Sequence, residues 1–133
     1  MKKVTDYETL ENSGASKQEK CIVKQYLREL FELYEIDTIK DIGSIYIIEN
    51  EKELTDYKAF QMYEPITKDN IEFVDIIFIS RNSKEPDYVL CCCNIYTDYS
   101  IFLLLDITLL SPEQLKIFNQ ARYITNQYLD LED

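Results

Sequence analysis

The sequence predicts an α+β fold, an antiparallel sheet of about four strands with N-terminal and C-terminal amphipathic helices packed on it. Three observations predict it: a helical apolar period after residue 16, three β-branched and aromatic runs joined by short polar links, and a second helix signature opening at Ser111.

Residues 1–15 are polar, carry Gly14 and show no period, so they are expected to form a mobile N-terminal arm. Residues 16–133 are expected to form a single α+β domain, since 133 residues fit one domain and two Gly and three Pro are too few for a loop-rich chain. Ser16-Lys17-Gln18-Glu19 is a capping box, in which the Ser side chain accepts from the Glu backbone and the Glu side chain accepts from the Ser backbone. Ile22, Val23, Tyr26, Leu27, Leu30 and Tyr34 then recur at three- and four-residue steps, predicting one apolar face from Lys17 to Ile36. The outer face runs from Lys17, Lys20, Lys24 and Arg28 to Glu32 and Glu35, the reverse of what the helix dipole favours. That order is a solvated surface or a two-signed contact stripe.

Asp41 to Ile48 reads as a strand bounded by Gly43 and Asn50. The segment from Asn50 to Glu64 reads two ways: Asn50 with Glu53 suggests a short helix, whereas Tyr57, Ala59, Gln61 and Tyr63 alternate like a strand. Pro65 ends it in either case. Glu72–Ser80, Asp87–Tyr96 and Ile101–Ile107 form an antiparallel meander, because their links are too short for parallel crossovers. Ser111-Pro112-Glu113-Gln114 opens the last helix, with Leu115, Phe118, Ala121, Ile124 and Tyr128 as its expected buried face. The strands at 72–80 and 101–107 are apolar on both faces. They therefore ask for cover on both sides, from a homodimer, a bound partner, or helices of the same chain.

Composition narrows function by exclusion. No apolar run reaches the roughly 18–20 residues of a membrane span, and no signal-peptide core follows Met1-Lys2-Lys3, so a cytoplasmic protein is expected. Cys91, Cys92 and Cys93 are consecutive, poor geometry for pairing with each other; without His or a spaced Cys pair, no metal or other cofactor is expected. A chain without His lacks the base of Ser-His and Cys-His catalysis, and isolated Gly14 and Gly43 build no phosphate loop. Asp75 and Asp106 remain as carboxylates for an enzyme, although strand alternation more often turns such residues to water.

Charge and tyrosine point instead to binding. The net charge of −11 opposes nucleic acid and anionic lipid and suits a basic protein partner. Nine acids stand against Lys40 and Lys52 between Glu29 and Asp56, and no base occurs between Glu85 and Leu115. Eleven Tyr are present, a residue enriched at binding hot spots. The candidate partner-binding residues are Asp87, Tyr88, Tyr96, Asp98 and Tyr99, where acids and rings adjoin, together with Glu32 and Glu35. The expected function is an acidic inhibitor or immunity-type protein blocking a basic toxin or nucleic-acid-handling enzyme. A dimeric secretion-type chaperone is the alternative, and a small carboxylate-dependent enzyme the third.

Overall fold

The computed structural model describes residues 1–60, 73–81, 85–96 and 99–129. In chain order the elements are β1 (Lys2–Val4), α1 (Tyr7–Glu11), α2 (Lys17–Tyr34), β2 (Gly43–Ile47), a 3-10 helix (Glu51–Thr55), β3 (Phe73–Ser80), β4 (Tyr88–Tyr96), β5 (Tyr99–Asp106), a 3-10 turn (Ile107–Leu109), α3 (Pro112–Phe118) and β6 (Tyr123–Tyr128). The strands form one sheet in the order β1-β2-β5-β4-β3-β6.

The α+β class stands, but the sheet is larger than about four strands and is mixed rather than antiparallel. The meander β3-β4-β5 is antiparallel as its short links require. Two parallel pairings flank it, β2 on β5 and β3 on β6. The extra strands come from the two ends of the chain, where the sequence suggested an arm and a helix.

Residues 1–15 are built into the fold rather than forming a loose arm. β1 pairs antiparallel with β2, and Val4 and Leu10 are fully buried. Asp6 caps α1: its Oδ1 accepts from the Thr9 N–H at 2.8 Å, while Thr9 Oγ1 accepts from the Asp6 N–H at 3.1 Å. That hydrogen bond to the backbone holds the Asp6 carboxyl below its ordinary range.

α2 follows its capping box as expected, with Glu19 N–H donating to Ser16 Oγ and Ser16 N–H to Glu19 Oε1. Its stripe of Ile22, Val23 and Leu27 packs on Ile45, Ile47, Leu90 and Leu104. Tyr46, Ile76, Val89, Cys91, Leu103 and Leu105 point to the opposite side of the sheet. There Leu54 and Phe60, from the segment after β2, and Phe118 of α3 cover them. One chain thus shields both faces, and the two-sided apolar strands are accounted for without a second molecule.

The last helix is shorter than expected. Ser111 caps it through the Gln114 N–H at 3.2 Å, but it stops at Phe118 with Asn119 as C-cap. Tyr123-Ile124-Thr125 is aromatic and β-branched, a composition that favours a pleated strand over continuation of the helix. Ile124 and Tyr128 therefore belong to β6, not to a helical face. Between Asn50 and Glu64 the helical alternative holds as far as Thr55; residues 61–64 lie outside the described residues.

Candidate functional site

α2 ends at Tyr34, and Glu35 closes it in the left-handed conformation, φ 54°. Non-Gly residues avoid this region because Cβ crowds the following carbonyl. The chain then runs to β2 through a loop fixed by its own backbone. Ile39 N–H donates to Thr5 O at 2.8 Å, Gly43 N–H donates to Ile39 O at 2.8 Å, and Ser100 N–H donates to Ile42 O at 3.0 Å. This loop, the last turns of α2 and the start of β5 enclose a groove of about 240 Å³ lined by Leu30, Tyr34, Ile39, Ile42, Gly43, Ser100 and Phe102. Tyr34 and Ile42 are exposed at its rim, and Leu33 beside them is 71% exposed.

The groove lies within the acidic stretch noted above. Glu32, Glu35, Asp37 and Asp41 are all exposed, and no ion pair among the described residues holds them. Of the other acids in that stretch, Glu49 and Glu53 form ion pairs within the fold, while Glu29 and Glu51 are exposed with no ion pair among the described residues. The N-terminal ammonium meets Glu53 at 2.7 Å, and Lys2 meets Glu49 at 3.3 Å. Glu35, Asp37 and Asp41 belong to the segment that forms one side of the groove, whereas Glu32 lies on the outer face of α2, opposite Leu30 and Tyr34.

The hairpin residues proposed from sequence fall into two groups at opposite ends of β4, Asp87 and Tyr88 at its start and Tyr96 opposite Tyr99 at its end. Tyr88 begins β4 and Tyr96 ends it, so they stand about 26 Å apart at strand rise. Tyr88 is buried; its hydroxyl donates to Gln18 Oε1 at 3.1 Å, and burial raises its phenol above the usual value. Asp87 Oδ2 accepts from the Arg81 N–H at 2.9 Å across the β3–β4 turn. Tyr99 is half-buried, its hydroxyl 2.6 Å from Ser44 Oγ. Asp98 and the side chain of Tyr96 lie outside the described residues. Among the described candidates, Glu32 and Glu35 are exposed, whereas Asp87 and Tyr99 are half-buried and Tyr88 is buried.

Asp75 and Asp106 do not meet either. Asp75 is opposite Cys92 and Asp106 opposite Tyr88, which separates them by about 13 Å along β4 and by two strand spacings across it. Asp106 instead caps the turn after β5, accepting from the Thr108 N–H at 2.9 Å. Burial raises the Cys92 thiol to about 11, with the Asp75 carboxylate adding to the effect, and the buried Cys91 and Cys93 thiols also lie well above the ordinary value. These thiols are held in the unreactive form.

The chain matches no family model, no curated protein and no solved structure.

Leu30, Tyr34 and Gly43 are legible in the sequence only as parts of a helix and a strand, not as the lining of a groove. Tyr34 falls on the apolar stripe of α2 by spacing, yet it is 55% exposed. Spacing gives no signal of this, since the adjacent pair Ile22 and Val23 on the same helix is fully buried. No helix among the described residues is long and apolar enough to cross a membrane.

Proposed function

We propose that this chain is an acidic protein-binding module of the inhibitor or immunity type, and that it blocks a basic toxin or nucleic-acid-handling enzyme at the groove beside α2. One observation carries the reading: an apolar groove whose rim residues Tyr34 and Ile42 adjoin the exposed carboxylates of Glu35 and Asp41, with exposed Asp37 on the loop between them, none of which the fold uses in an ion pair among the described residues. A volume of about 240 Å³ is below the roughly 300–1,000 Å³ of small-molecule pockets and suits one anchoring side chain of a protein partner. Leu30, Tyr34, Ile42 and Phe102 supply the apolar contact, and the carboxylates take positions that phosphates occupy on the partner's own substrate.

The charge acts mainly before contact. A net charge of −11 steers a cationic partner toward the surface, an effect that falls as salt shortens the Debye length from about 10 Å at 0.1 M to about 3 Å at 1 M. Affinity capture from a cell extract tests the proposal, with wild type and Tyr34→Ala as bait at low and high salt. The expected catch is a basic protein whose retention falls with salt and falls again with the variant. An unfolded client held through high salt supports the chaperone alternative and contradicts the proposal.

A further inference from the structure

β6 pairs with β3 on one side, and among the described residues no strand pairs with its other side. Its main-chain directions are fixed by the hydrogen bond from Leu129 N–H to Ser80 O at 3.2 Å. Since these groups alternate along a strand, those of Thr125 and Gln127 turn toward β3, and those of Ile124, Asn126 and Tyr128 turn outward. Sheet edges are usually protected by Lys, Pro or a bulge, but Tyr123-Ile124-Thr125-Asn126-Gln127-Tyr128 contains neither residue and no charge. Ile124 is 46% exposed and Tyr128 59%.

We propose that this edge binds a second copy of the chain, β6 pairing antiparallel with itself about a two-fold axis through Asn126. Charge selects the occupant. A basic partner finds no carboxylate on β6, whereas two copies of a chain with net charge −11 repel over the rest of their surfaces and can approach at a neutral strand. Register selects the axis. Centred on Asn126, Ile124 of each copy lies opposite Tyr128 of the other, and Asn126 lies opposite its own copy. All of these residues have outward main-chain groups, so each opposed pair exchanges both of its hydrogen bonds. The pairing also places exposed Ile124 against exposed Tyr128 on one face, the aromatic and β-branched combination that stabilises neighbouring strands. A two-fold contact of this kind is isologous and closes at a dimer.

The inference is independent of the groove. Sedimentation of the full chain over a range of concentrations tests it, with Asn126→Pro as the variant, because that substitution removes an outward N–H and no bond to β3. Wild type is expected to sediment as a dimer that dissociates on dilution, and Asn126→Pro as a monomer with the same circular dichroism. Should the proline variant misfold, Ile124→Glu provides the same comparison and is likewise expected to be monomeric. Wild type monomeric at every concentration, or either variant folded and still dimeric, overturns the proposal.

Discussion

A Cβ on Gly43 would lie 2.3 Å from the carbonyl oxygen of Ser100, so the first rung of the parallel β2–β5 pairing is closed to any side chain. The obstacle is backbone, which cannot rotate away as a side chain can. Gly43→Ala is expected to destabilise the fold by about 1–3 kcal/mol, the usual cost of overpacking. Urea unfolding checks this: the midpoint should fall with the slope unchanged. The same rung floors the groove, so the variant should also lose partner capture.

Much of this arrangement was legible in the sequence, for reasons that also explain the failures. α2 and β2 to β5 carry strong local signals, a capping box followed by a stripe in one case and β-branched runs in the others. β1 is only Lys2–Val4, too short to show a period, and its place depends on pairing with a strand some forty positions later. β6 was hidden because Leu115, Phe118 and Ala121 continue into Ile124 and Tyr128 at helical spacing, while only tertiary pairing with β3 reveals the change. The site behaved likewise. Its acidity could be counted from the sequence, but the groove joins residues 30–34, 39–43 and 100–102, which only the folded sheet brings together.

Glu35 sets stability against binding. Its left-handed conformation is one that Gly adopts without the Cβ penalty, so Glu35→Gly is expected to raise stability by about 0.5–1 kcal/mol. Glu35→Gln keeps the Cβ and should leave stability nearly unchanged. Both remove a carboxylate bordering the groove, so both should weaken capture of a basic partner. Thermal melts alongside the capture assay separate the two effects.

Alkaline pH should unfold the protein in steps that follow its buried groups. Burial raises Cys92 from 9.0 to about 11 and Tyr26 from 10.0 to about 12, with nearby Asp75 and Glu29 adding to the respective shifts. Each folded group holds its proton more tightly than the unfolded chain does. Their contribution is therefore complete below pH 9, then declines as pH rises through 11 and 12. Urea midpoints measured against pH should show this decline, and Cys92→Ala should flatten it between 9 and 11. In the native protein at neutral pH a thiol reagent should label exposed Cys21 first and reach Cys91 and Cys93 only on unfolding.

The central claim is that the acidic surplus and the groove beside α2 act together on a cationic protein surface. The most direct measurement is an NMR titration of the isotope-labelled chain with a short peptide alternating Arg and Leu, and with its Glu and Leu counterpart. The account predicts that the Arg peptide alone shifts the amides of Tyr34, Ile42 and Ser100, and that added salt or Glu32→Gln with Glu35→Gln reduces the shifts. Equal responses to both peptides, or shifts confined to surfaces away from those three residues, would contradict it.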